Sequence, residues 1–133
     1  MLRVSFLLLL GTLVLTGCRS KSEADFNPPP ATARAALEAG LRSWKDGGKP
    51  GDVPGTRKPA IHAEDPEWGD GRQLREYEIL SDEPLTEAPG RVFTVRILTD
   101  KGAPHEAKYV VFGLDPVQVF RDSMYKALSG AGK

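Results

Sequence analysis

His62, Glu64 and Asp65 form the densest group of side chains in this sequence that could do chemistry. In an extended segment, residues two apart share a face. His62 and Glu64 could then hold a metal ion or move a proton together. A metal centre needs more donors, and the other histidine, His105, falls in or near a predicted hairpin far along the chain. The plainer reading is a surface loop in which Asp65 caps a turn. Glu76 and Glu78 are a second carboxylate pair, and their strand spacing predicts a solvated face opposite cations such as Arg96. No G-x-S-x-G nucleophile elbow occurs. Gly47-Gly48-Lys49 and Gly130-Ala131-Gly132-Lys133 have the composition of phosphate loops but not the strand–loop–helix context. No catalytic residue, metal ligand or cofactor is therefore expected.

The aromatic residues offer a different chemistry. Trp44, Trp68, Tyr77 and Tyr109 could line a small-molecule pocket between a helix and a sheet. The inward strand positions Phe93, Val95, Ile97 and Val111 are all apolar. A filled core is expected there rather than a catalytic cavity.

Composition narrows the function classes. The chain has 133 residues, 40% of them hydrophobic and 27% charged, which is the balance of a folded domain. Lys plus Arg equals Asp plus Glu, at 18 each, so the basic footprint of a nucleic-acid binder is missing. Cys18 is the single cysteine, so no disulfide framework exists. It directly follows a short apolar run, Val4 to Leu15, headed by Arg3. That run falls well short of the roughly 20 residues that span a bilayer. It has the shape of a secretory leader.

Leu15-Thr16-Gly17-Cys18 resembles the lipobox of bacterial lipoproteins: an aliphatic residue, two small residues, then cysteine. The resemblance implies cleavage between Gly17 and Cys18 and a diacylglyceryl thioether on the Cys18 sulfur. It also implies acylation of the new amine by a palmitate-like chain. Cys18 would then be a membrane anchor rather than a redox or metal residue. Two or three acyl chains hold a membrane far more firmly than one. Arg19 stands where aspartate favours inner-membrane retention in enteric lipoproteins, which leans toward an outer membrane facing the periplasm. The expected partners are the membrane, through Cys18, and an envelope protein or cell-wall component.

These groups need elements to place them. Residues 1–17 read as the signal peptide and 18–30 as the lipidated cysteine and a polar, proline-ended tether. Residues 31–128 read as one α+β domain, and 129–133 as a frayed tail. Thr32 is placed to cap a helix running to about Asp46, with Ala33, Ala36, Leu37, Leu41 and Trp44 on one side and Gly47-Gly48 at its end. Residues 49–59, rich in proline and glycine, predict a loop. Residues 60–63 predict a short extended piece, and Asp65-Pro66-Glu67-Trp68 one helical turn. Strands are expected over 73–80, 91–99, 107–113 and 117–121, and a short helix over 122–128.

The predicted architecture is one helix packed across a curved antiparallel sheet of about four strands. It resembles the cystatin-like roll, shared with the nuclear-transport-factor-like superfamily. The residues that carry the likeness are Leu37, Leu41 and Trp44; Asp65 to Trp68 with Gly71, Leu74, Tyr77 and Ile79; and Phe93, Val95, Ile97, Tyr109, Val111, Val117 and Val119. The layout also resembles small envelope lipoproteins, a grouping that implies no single activity.

Overall fold

The computed structural model describes residues 27–130; the leader, Cys18, most of the tether and residues 131–133 lie outside them. The first helix, α1, spans Pro30–Lys45. Its buried residues, Ala33, Ala36, Leu37, Gly40, Leu41 and Trp44, recur every three or four positions and make one apolar stripe. Thr32 does not cap it. Pro30 opens the helix, where a missing N–H costs nothing, and no side chain among the described residues caps the start. Arg42 and Lys45 lie in the last turn, where cations suit the helix dipole. Gly47, at φ +87°, turns the chain out while its N–H donates to the Trp44 carbonyl.

Six strands follow rather than four: β1 (Gly51–Asp52), β2 (Ile61–Glu64), β3 (Leu74–Pro84), β4 (Arg91–Thr99), β5 (His105–Phe112) and β6 (Val117–Arg121). The loop expected over 49–59 contains β1. Its two residues are too few for alternation to reveal them, and they are strand because they pair with Ala63 and His62 of β2. One helical turn, α2 (Pro66–Gly69), separates β2 from β3, and α3 (Asp122–Leu128) closes the chain.

All six strands form one sheet in the order β1-β2-β6-β5-β4-β3. The sheet is mixed, not antiparallel throughout. β6 returns between β5 and β2, antiparallel to the first and parallel to the second. Such a return is invisible to local periodicity, because it joins segments more than 50 residues apart. β3 runs past the predicted Leu80 to Pro84, and its pairing with β4 shifts register at Leu74/Glu76 and Ile79/Ser81. Those irregularities break the period-2 pattern from which strand ends are read.

α1 lies across one face, over β2, β3, β5 and β6. Beneath it Phe93, Val95, Ile97, Val111 and Val117 are fully buried. Gly40 lets the helix approach closely: a Cβ there would stand 2.9 Å from the Ala63 Cβ of β2. α3 sits on the opposite face, over β5 and β6. This explains why Tyr109-Val110-Val111-Phe112 is apolar on both sides. Tyr109 and Val111 meet the main core, while Phe112 stacks on Phe120 and meets the edge of Tyr125.

Candidate functional site

The α2 turn organises the densest polar cluster. Asp65 caps it as the sequence predicts: its Oδ1 accepts from the Glu67 N–H at 2.7 Å and the Trp68 N–H at 3.3 Å. It is not a loop surface residue, however, being only 3% exposed. Its other oxygen, Oδ2, accepts from the Tyr109 hydroxyl at 2.5 Å and from the Arg121 Nε at 2.9 Å. Arg121 Nη2 lies 2.7 Å from Glu67 Oε2, and the guanidinium carbon stands 5.2 Å from the centre of the Tyr109 ring. Glu67 also accepts from Arg72 Nη1 at 2.8 Å through Oε1, and its Oε2 lies 3.0 Å from His105 Nε2.

Strand parity puts these groups inside. Tyr109 shares its face with Val111, and Arg121 shares its face with Val117 and Val119. A cation on the inward parity of β6 was the available sequence signal for this cluster. That signal is weak because Arg121 is the last residue of its strand. Glu67 and His105 carried no such signal, since they meet only when α2 folds over the start of β5.

Burial and charge act together on each group. Burial pushes the Tyr109 hydroxyl well above its ordinary value, and the Asp65 carboxylate pushes the same way. Burial disfavours the Arg121 cation, but Tyr109, Asp65 and Glu67 outweigh it and hold the guanidinium charged. Burial would likewise raise Glu67, yet Arg121 and His105 bring it below the ordinary carboxylate value. His105 is raised, chiefly by its bond to Glu67. The cluster is therefore a set of charges that satisfy one another. Removing one partner of such a buried pair typically costs about 3–5 kcal/mol, because the other is left desolvated.

The aromatic residues converge only in part. Trp44 and Trp68 stack with ring centres 5.9 Å apart and are almost wholly buried. Their indole N–H groups donate to the carbonyls of Arg72 and Gly48. With Tyr109 they border a gap of about 10 Å³ between helix and sheet, scarcely the size of one water. Tyr77 does not join them; it lines a separate surface depression with Lys45, Glu76 and Arg96. Glu78 does face Arg96, its cross-strand partner, at 3.6 Å.

His62 and Glu64 do share a region of β2, with His62 Nε2 3.4 Å from Glu64 Oε2. The second carboxylate at His62 is Asp52 of β1, at 2.9 Å from Nδ1, and not Asp65. Among the described residues no three histidine, cysteine or acidic groups converge as a metal site. Cys18 and Gly17 lie outside the described residues. No helix among the described residues is long and apolar enough to cross a membrane.

On the opposite sheet face an apolar groove of about 720 Å³ runs between the β3–β4 turn and α3. Val92 and Val110 line it, with Leu85 on the turn side and Tyr125 on the helix side. It adjoins a second depression of about 400 Å³ lined by Pro89, Phe112 and Leu128. No family model, curated protein or solved structure matches this chain.

Proposed function

We propose that this chain is a lipid-anchored protein of the bacterial envelope whose domain is a non-enzymatic docking module. The anchor is Cys18, and Leu15-Thr16-Gly17-Cys18 supports that reading. An outer membrane facing the periplasm is the favoured site, since Arg19 rather than aspartate follows the cysteine. We read the fold as a cystatin-like roll of the nuclear-transport-factor-like kind. Support comes from the helix laid across the sheet and from the return of β6 between β5 and β2.

One observation carries the docking reading. The polar groups that face the helix–sheet interior are spent on one another, and the space beside them is about 10 Å³. A substrate would have to displace a buried ion pair to reach Tyr109 or Asp65. The open, apolar surface is instead on the far side of the sheet. That arrangement suits a protein or cell-wall partner, and the balanced charge does not suit nucleic acid.

Metabolic labelling with a traceable fatty acid tests the anchor. The wild-type chain is expected to carry label and to sediment with membranes. Cys18→Ser is expected to carry none and to persist at precursor mass. Label on the serine variant, or unlabelled wild-type protein free of membranes, overturns the reading.

A further inference from the structure

The groove on the far sheet face has two unlike walls. The β3–β4 turn brings Leu85 and Glu87 to one side, and α3 brings Asp122, Tyr125 and Lys126 to the other. Lys108 rises from β5 between them. The rim therefore holds two cations and two anions. A balanced rim gives no preference to an anionic or a cationic ligand. It does suit a surface that carries the same pattern reversed.

A knob stands beside this hole. Leu128, at the end of α3, is 69% exposed, the most exposed large apolar side chain among the described residues. It lines the adjoining depression with Phe112 and Pro89 but is not covered by them. Among the described residues Lys126 pairs only with Asp122, one turn back at 3.8 Å, an exposed pair of little strength. A closer carboxylate would displace it.

We propose that the groove seats α3 of a second copy of this chain, reciprocally, in a two-fold dimer. In such an isologous contact the same patch serves on both sides. Leu128 of each copy enters the apolar groove of the other. Lys126 on one helix wall meets Glu87 on the facing turn wall. Once Arg3 leaves with the leader, 17 cations face 18 anions, so the net repulsion between two copies is slight. The proposal deepens the docking reading and rests on it, by naming the partner.

The test is the molar mass of the purified full chain by sedimentation in density-matched detergent micelles, over a range of protein concentration. The wild type is expected to pass from monomer to dimer. Leu128→Glu is expected to weaken association at least tenfold, and Lys126→Glu to weaken it as well. Glu87→Lys combined with Lys126→Glu restores the opposite charges with sides exchanged, and is expected to recover the dimer. All the substituted side chains are exposed, so melting curves should match the wild type. A wild type monomeric at every concentration overturns the dimer. So does a dimer indifferent to Leu128→Glu, or a double reversal that recovers nothing. Native mass spectrometry that finds monomers carrying lipid or another protein, lost in Leu128→Glu, assigns the groove to that occupant and also overturns it. None of these outcomes touches acylation of Cys18, which is read by its own label.

Discussion

Both histidines of this chain sit between acceptors. His105 has the Ala103 carbonyl at 3.1 Å from Nδ1 and the Glu67 carboxylate at 3.0 Å from Nε2. His62 has Asp52 at one nitrogen and Glu64 at the other. A neutral imidazole has one donor; only the imidazolium has two. The geometry therefore asks for the charged ring, and each pKa is raised above the ordinary 6.5, by Glu67 at His105 and by Asp52 at His62. A group raised on folding contributes in full below its unfolded value, and the contribution fades as pH rises through the folded one. Glu67 behaves in the opposite sense. Lowered from 4.5, it contributes in full above that value and loses the contribution as pH falls through its folded value. All three contributions are complete together between about pH 4.5 and 6.5. The urea midpoint of the protein should be highest there and decline toward pH 8. Replacing both histidines by glutamine should flatten the alkaline decline. A wild-type midpoint level or rising from pH 6 to 8 would falsify the imidazolium assignment.

At the scale of elements, the contact of α1 with the sheet is the critical one. Trp44 fills the space between helix, α2 and sheet, and Gly40 sets how near the helix comes to β2. Trp44→Ala should cost about 3–5 kcal/mol, as truncation of a buried tryptophan usually does. Gly40→Ala tests the opposite fault. Its added methyl meets Ala63 within 2.9 Å, so overpacking should outweigh the gain in helix propensity, at a net cost of about 1–3 kcal/mol. Urea titrations of both variants decide. A neutral Gly40→Ala would mean that the helix shifts freely on the sheet. Much of this layer was legible in the sequence. The stripe from Ala33 to Trp44 is read from a 3.6-residue period, and the strand Arg91–Thr99 from a period of two. The Asp65-Pro66 turn follows from capping chemistry alone. β1 was not legible because two residues cannot show a period. The parallel β2–β6 pair was not legible because register between distant segments depends on the whole sheet. Of the candidate site, Asp65 is legible as a cap and Tyr109 as an aromatic grouped with Trp44 and Trp68, but the bonds that join Asp65 to Tyr109 and Arg121 are not. Their charge and hydroxyl lie on faces that read as apolar.

For the molecule as a whole, the question is where the N-terminal connection, the proposed membrane tether, meets the fold. The polar tether read from the sequence runs to Pro30, yet α1 begins at Pro30 and Pro28 is fully buried. The Pro29 carbonyl already accepts the Ala33 N–H, the first bond of the helix. The triple proline thus belongs to the packing of the domain as well as to its connection. Stiff φ angles make it a poor spring but a good clamp, since little chain entropy is lost in fixing it. Two deletions in the full chain separate these roles. Removing residues 19–26 leaves Pro28 in place and should leave the melting temperature unchanged. Removing residues 19–30 takes the clamp and the first helical residue together. Loss of one buried apolar side chain is worth about 1–3 kcal/mol, and each kcal/mol shifts melting by about 4–8 °C in a domain near this size. The longer deletion should therefore melt at least several degrees lower while still folding. Equal melting of the two would place the mechanical boundary of the domain after Pro30, and the buried Pro28 would then be a passenger on the surface of a helix that holds itself.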